Sequence, residues 1–324
     1  MRVLVALGGN AMTAPDGSAR PADQIAAVSL AATRVAELVG AGVQVVLTHG
    51  NGPQVGNLLV KNELAAPVVP PVPLDWCDAQ TQGTIGFILL NALETALPGH
   101  RAAVLVTRVL VDAADPAFAR PTKPIGRYLP AEQAAVLMAH GERWEDRGER
   151  GWRRVVASPE PVDILDAPAA GTLVDAGYLV VAAGGGGIPV VRDDDGRLRG
   201  VEAVVDKDLS AALLARSVAA DVLVIATDVE AVQLGFGTDR ARPLARTTPS
   251  QLRALAAAGE FASGSMAPKV EAAARFVLAG GRYAVIASLD RIADAASGHA
   301  GTLVVPDPDP SGADPDPSAH TPQR

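Results

Sequence analysis

Cysteine is almost missing from this chain of 324 residues: Cys77 is the single one. An internal disulfide and a multi-cysteine zinc site are thereby excluded, and a reducing, cytoplasmic interior is the expected compartment. Cys77 itself reads as a small buried hydrophobe. Long apolar runs are missing too. Val3 to Leu7 gives way to glycines too soon for a signal-peptide core, and no uninterrupted run approaches the ~18 residues that span a bilayer. Positive charge is in deficit, with 28 Lys and Arg against 36 Asp and Glu for a net charge of −8. A nucleic-acid backbone or an anionic membrane is therefore not the expected partner, and any bound anion must be held by local cations. Lysine is the scarcest cation. It occurs only at Lys61, Lys123, Lys207 and Lys269, and arginine supplies the other 24 of the 28 basic residues.

Apolar residues make up 48% of the chain, enough for one large core or two modest ones, which excludes disorder throughout. Short β-branched runs recur at Arg2 to Leu7, Val43 to Thr48, Ala103 to Val111, Leu179 to Ala183, Val222 to Thr227 and Tyr283 to Ala287. Amphipathic stretches lie between them, and apolar runs on both sides of each strand predict an α/β fold with a mainly parallel central sheet, covered by helices on both faces.

Ile25, Val28, Ala32, Val35 and Leu38 place a first helix over Ala22 to Val39, with Gly40 and Gly42 available to end it. Thr248, Pro249 and Gln251 give a capping-box start to another. Between Asp112 and Pro161 the composition changes. Pro116, Pro121, Pro124 and Pro130 crowd one loop, a short helix spans Ala131 to His140, and a charged stretch from Glu142 to Arg154 follows. Trp144 and Trp152 flank a hairpin turn at Asp146-Arg147-Gly148. This segment reads as a small excursion from the main sheet. Pro306 to Arg324, rich in Asp and Pro, reads as a disordered tail with too little to bury. No fixed-period repeat is found.

Three predicted strands run into glycine turns: Gly8-Gly9-Asn10, His49-Gly50-Asn51-Gly52-Pro53, and Gly184-Gly185-Gly186-Gly187. In a parallel sheet all three share one edge. Their backbone N–H groups, with the positive ends of following helices, suit an anion such as phosphate. Neither the P-loop nor the dinucleotide fingerprint is present. Lys207, between Asp206 and Asp208, and Lys269, after Met266-Ala267-Pro268, each open a predicted helix. A cation there opposes the helix dipole at ~0.3–1 kcal/mol, so a negative ligand is expected nearby. Asp208 either pairs with the two lysines or serves as a first-turn acid. Lys123 lies in a proline-stiffened loop from which it can reach over a ligand, whereas Lys61 reads as surface and His49 as a satisfied structural histidine.

At these residues the chain resembles the carbamate kinases of the amino acid kinase superfamily. The matching blocks are Ala6 to Ala11, Thr48 to Gly56, Thr81 to Gly86, Pro121 to Gly126, Arg154 to Pro159, Ala183 to Pro189, Glu202 to Leu209 and Gly264 to Lys269, spread over residues 1 to 305. The resemblance implies an open α/β/α sandwich and a homodimer. An acceptor-binding half spans about residues 1 to 200, with a projecting subdomain over 112 to 161, and a nucleotide-binding half spans 201 to 305. It implies an ATP-dependent phosphotransferase: ADP and carbamoyl phosphate in reversible exchange with ATP and carbamate, with Mg²⁺, as at the end of arginine breakdown.

By the same resemblance Lys207, Lys269, Asp208 and Lys123 are catalytic. Gly8, Gly9, Asn10, Gly50, Asn51, Gly52, Gly185 and Gly186, with Lys123, bind the acceptor, the first six as an N–H cradle. Thr227, Asp228, Val229 and Met266, with both catalytic lysines, face the nucleotide, and no residue is assigned as a metal ligand. The alternatives are a kinase of this fold for another acyl-phosphate acceptor, and a non-catalytic nucleotide sensor.

Overall fold

The β-branched runs of the sequence become the middle of one sheet. A computed structural model describes residues 1–9, 13, 20–261 and 266–308. Asn10, Ala11, Gly264 and Ser265 of the blocks above, and residues 309–324 of the tail, lie outside them. The chain opens with β1 (Arg2–Leu7), α1 (Pro21–Gly40), β2 (Gln44–His49), α2 (Gly52–Ala65), α3 (Leu74–Ala96) and β3 (Ala102–Val104). It continues through β4 (Arg108–Val111), α4 (Pro116–Ala119), β5 (Lys123–Leu129), α5 (Ala131–Ala139), β6 (Trp144–Asp146), β7 (Trp152–Val156) and β8 (Pro161–Ile164). Then come α6 (Ala167–Asp175), β9 (Leu179–Val181), β10 (Ile188–Arg192), β11 (Leu198–Gly200), α7 (Lys207–Ser217) and β12 (Val222–Thr227). Short strands β13 (Gln233–Leu234), β14 (Arg242–Pro243) and β15 (Arg246–Thr247) precede α8 (Pro249–Ala257), α9 (Met266–Leu278), β16 (Tyr283–Ser288), α10 (Ile292–Ala296) and β17 (Thr302–Val304).

The main sheet has eight strands in the order β15-β17-β16-β12-β1-β2-β9-β3. Its pairings are parallel except for β16 with β17. Strand alternation divides the core in two. Leu4, Ala6, Val46, Leu223 and Ile225 pack on one face with residues of α6, α7 and α9, while Val3, Val5, Leu7, Leu47 and Val224 pack on the other with α1, α3 and α10. Each fully buried aliphatic side chain contributes about 1.5–3 kcal/mol. Strands buried on both faces are what a helix-covered parallel sheet requires.

One strand expected over Ala103 to Val111 is instead two. β3 ends the main sheet, while β4 joins a second sheet, β11-β10-β4-β8. The buried Gln82 stands at the break: its Oε1 accepts from Thr107 N–H at 2.8 Å and its Nε2 donates to Thr107 O at 3.1 Å, while the same Thr107 O accepts from Ile188 N–H at 2.9 Å on the side of the second sheet. α1 matches the expected helix, and Gly42 (φ +80), just after Ala41, turns the chain out of it, while Gly40 remains helical. At α8 only half of the capping box forms. Thr248 Oγ1 accepts from Gln251 N–H, but Gln251 Oε1 accepts from the Thr247 hydroxyl.

The excursion is a three-stranded antiparallel sheet, β5-β7-β6, with α5 packed over it around Leu129, Ala134 and Trp144. Trp144 and Trp152 do flank a hairpin, in which Asp146 pairs with Trp152. Ile125 and Val156 join it to Val55, Leu59, Leu74 and the fully buried Cys77. After β17, Asp307 accepts from the N–H and hydroxyl of Ser250 at the start of α8, so the chain is tied down past the expected start of the tail. No helix among the described residues is long and apolar enough to cross a membrane.

Candidate active site

β12, β1, β2 and β9 are adjacent, parallel and level, with Leu7 opposite both His49 and Ala226. Their carboxyl ends therefore deliver Thr227, Gly8, Gly50 and Ala183 to one edge, as the glycine-loop spacing predicts. The loops touch. A Cβ on Gly50 would lie 3.0 Å from the backbone N of Gly9, one on Gly185 would lie 2.2 Å from Asn51 Nδ2, and one on Gly186 would lie 2.3 Å from Val205 O. Only glycine fits these approaches.

Two of the loop N–H groups are already bonded within the fold. Gly50 N–H donates to Leu7 O at 3.1 Å and Gly186 N–H to Ala183 O at 3.0 Å, so both are used inside the fold. Their glycine character serves the close approach of the loops. α2 starts at Gly52 with Asn51 at its N-cap position, but no side-chain bond caps the helix. The Asn51 carboxamide is turned away instead, donating from Nδ2 to Asp78 Oδ1 at 3.1 Å and to Thr81 Oγ1 at 2.9 Å.

Lys207 is the first residue of α7 and Lys269 lies in the first turn of α9. Asp208 joins them: its Oδ1 is 2.6 Å from Lys207 Nζ and its Oδ2 is 2.9 Å from Lys269 Nζ. The three side chains are 11%, 13% and 5% exposed for Lys207, Lys269 and Asp208, so water screens them little. Burial alone would raise the Asp208 acid, but the two ammonium groups outweigh it and hold the carboxyl below the usual carboxylate range. Of the two readings of Asp208, the ion pair is the one formed.

Asp206, N-terminal to this group, has two partners. Its Oδ1 accepts from Asp208 N–H at 2.9 Å, capping α7, and its Oδ2 lies 2.9 Å from Lys123 Nζ on β5. Lys123 is thereby brought from the excursion to the same helix start, whereas Lys61 takes no part. Thr227 Oγ1 donates to Asp228 Oδ1 at 3.0 Å, Val229 follows at the same strand end, and Met266 opens α9 against the main core.

His49 is buried. Nδ1 donates to Gly50 O at 2.9 Å, and desolvation, helped by the Lys207 charge, lowers its pKa to about 4. It is a neutral structural histidine. The sequence reading did not single out the polar ties beneath the loops: Gln82 Nε2 donates to Gly184 O at 2.9 Å, Ser210 Oγ to Gly186 O at 2.7 Å, and Thr48 Oγ1 to Ala183 O at 2.8 Å. Asp78, Thr81 and Gln82 stand on the face of α3 that also carries Leu74, Cys77 and Ile85. Polar residues at core positions of a helical pattern were the available signal.

A cavity of ≈ 620 Å³ opens beside the start of α2, walled by Asn51, Gly52, Pro53, Gly126, Arg127 and Arg153 among others. Neither Lys207 nor Lys269 lines it. Among the described residues, no group of three or more His, Cys, Asp or Glu could hold a metal ion.

The amino acid kinase family model matches residues 1–288. The carbamate kinase of Thermococcus kodakarensis is 43% identical over 314 residues, covering 94% of this chain and 99% of that one. The carbamate kinase-like protein YahI of Escherichia coli is 43% identical over 311 residues, covering 94% and 98%. Among solved structures, the carbamate kinase of Giardia lamblia bound to AMP-PNP superposes with a TM-score of 0.89 at 39% identity, covering 94% of this chain and 98% of that one.

Proposed function

The chain belongs to the amino acid kinase family and groups with its carbamate kinases, and on that premise we propose that it interconverts ADP plus carbamoyl phosphate with ATP plus carbamate. The observation that carries this reading is the clamp of Asp208 on Lys207 and Lys269, set at the edge where the glycine loops meet.

In the ATP-forming direction an oxygen of the terminal ADP phosphate attacks the phosphorus of carbamoyl phosphate. The new O–P bond forms as the bond to the carbamate oxygen breaks, and carbamate leaves with that electron pair. No proton moves, so no general base is needed, and His49 is assigned no chemical step. The difficulty is to bring two anions together. Two ammonium groups and one carboxylate leave a net single positive charge where the phosphoryl group passes, held in place before the reaction begins. Asp208 fixes both lysines and receives no proton.

Lys123 takes the acceptor side, over the N–H groups of Gly8, Gly9, Asn51 and Gly52, with Asn10 of the same loop. Gly50, Gly185 and Gly186 form the floor that lets the loops converge. Thr227, Asp228, Val229 and Met266 take the nucleotide side, so that the acceptor belongs to residues 1–200 and the nucleotide to 201–305. The carboxylates of Asp206 and Asp208, at the start of α7, are already paired with lysines. That donor set fits Mg²⁺ arriving on the nucleotide phosphates, where it neutralises their charge, more than a protein-held ion.

The working unit is read as a cytoplasmic homodimer serving arginine breakdown. Supporting the dimer, Trp76 and Phe87 are 60% and 64% exposed on one face of α3, about three turns apart.

The second reading, another acyl-phosphate acceptor, draws on the cavity beside Arg127 and Arg153, which is larger than carbamate needs. Initial rates of ATP formation separate the two. Carbamoyl phosphate as the efficient donor, with acetyl phosphate poor, supports the first reading; the reverse order overturns it.

A further inference from the structure

Ser210 is a fully buried polar residue that the mechanism above does not use. It stands in the first turn of α7, three residues after Lys207, so the two side chains lie on one face of the helix. Alanine is the better helix former, and Ala211 and Ala212 follow directly in the same buried stretch. A serine here therefore costs the helix something, and a buried hydroxyl is tolerated only where it is bonded.

The partner of that hydroxyl sets Ser210 apart. A helical serine or threonine commonly returns its hydroxyl to the carbonyl four residues back. In this chain Ser29 and Thr33 of α1, Thr95 of α3 and Ser217 of α7 all do so. Ser210 donates instead to Gly186 O at 2.7 Å, 24 residues away in the glycine turn after β9.

Side chains of the surrounding elements hold that turn in place. Ala183, Gly185, Gly186 and Gly187 all have positive φ, and for Ala183 this is the left-handed region that a Cβ disfavours. Thr48 of β2 donates to Ala183 O, Gln82 of α3 to Gly184 O, and Ser210 of α7 to Gly186 O. The first two belong to the acceptor side as read above, and the third to the helix that carries Lys207 and Asp208. The turn fills the space between them: a Cβ on Gly185 would run into the Asn51 carboxamide, and one on Gly186 into Val205 O. It is thus a spacer between Asn51 and the start of α7, and Ser210 fastens α7 to it.

We propose that Ser210 is a positioning residue for phosphoryl transfer: its hydroxyl pins the first turn of α7 to the glycine turn and so sets the distance between the Lys207 ammonium and the acceptor loop. Charge stabilisation of this kind depends on donors fixed before the reaction, and a displacement near 1 Å costs up to about 10²-fold in rate. Without the bond, Lys207 keeps its ion pair with Asp208 but loses the tie that registers both against the acceptor.

This inference rests on the reading that Lys207 stabilises the phosphoryl group in transit, and the test separates the two. Steady-state ATP formation from ADP and carbamoyl phosphate is measured for the wild type, Ser210→Ala, Lys207→Ala and the double variant. Ser217→Ala, which removes a hydroxyl from the same helix, serves as the control. Ser210→Ala lowers kcat about tenfold, leaves both KM values within about twofold, and has no further effect once Lys207 is already alanine. Ser217→Ala matches the wild type. If Ser210→Ala does not fold, Ser210→Cys, with its weaker donor, takes its place in the cycle on the same terms. Wild-type kcat in Ser210→Ala, an equal loss in Ser217→Ala, or a loss that persists in full in the Lys207→Ala background overturns the role of Ser210 alone. No ATP formation by the wild type overturns the functional reading and this inference with it.

Discussion

Asp206 and Lys123 stand 83 residues apart in the chain, yet the Asp206 Oδ2 and Lys123 Nζ atoms meet at 2.9 Å. The other oxygen of the same carboxylate caps α7, so one side chain both starts the helix that carries Lys207 and Asp208 and holds the cation of the excursion against it. Binding an anionic acceptor at Lys123 must compete with that carboxylate.

Asp206→Asn keeps a good N-cap but removes the competing charge. The expected result is a lower KM for carbamoyl phosphate with an unchanged melting temperature, whereas Asp206→Ala also loses about 1 kcal/mol of stability with the cap. Lys123→Ala should raise KM for carbamoyl phosphate roughly 10–100-fold, as loss of a bond to a charged group does, and leave KM for ADP alone. Steady-state kinetics and thermal melts on the three variants check this.

Removing either clamp lysine tests transition-state charge. Lys207→Ala and Lys269→Ala should each lower kcat by roughly 10²–10³ with the fold intact, because Asp208 keeps one ammonium partner. Asp208→Ala leaves two partly buried ammonium groups facing each other and should cost roughly 3–5 kcal/mol of stability as well as activity. Denaturant melts beside kcat separate the two effects.

Much of this was legible in the sequence, for identifiable reasons. The strands at Arg2–Leu7 and Val222–Thr227 are apolar on both faces, so burial sets their limits directly. The glycine loops and the rarity of lysine marked the edge and the cations that gather there. Contacts that depend on a partner distant in sequence were not legible: Gln82 meeting Thr107, Asp206 reaching Lys123, and Asp78 bonding to Asn51. Nothing local to Thr107 distinguishes it from a strand residue. The expectation that Gly50 offers its N–H failed because Leu7 O on the neighbouring strand takes it.

His49 gives the stability a direction with pH. Its pKa is 6.5 when unfolded and about 4 when folded, so the unfolded chain binds more protons between those values. Stability should fall as pH drops from about 6.5 to 4, and the slope of melting temperature against pH in that window should lessen in His49→Gln, even though that variant is less stable at pH 7.

Gly185 has φ +70 and faces the Asn51 carboxamide. Gly185→Ala strains the backbone and drives a methyl group into that amide, so it should raise KM for carbamoyl phosphate and lower the melting temperature together. Gly171→Ala, in α6 with nothing within 4 Å of the added Cβ, should do neither.

The central claim is that the phosphoryl group passes between Lys207 and Lys269 while Asp208 holds them. A crystal structure with ADP and Mg²⁺ tests it most directly. The account predicts the terminal phosphate within hydrogen-bonding distance of both Nζ atoms, with the Asp208 carboxylate still bridging them; a diphosphate seated away from both lysines would contradict it.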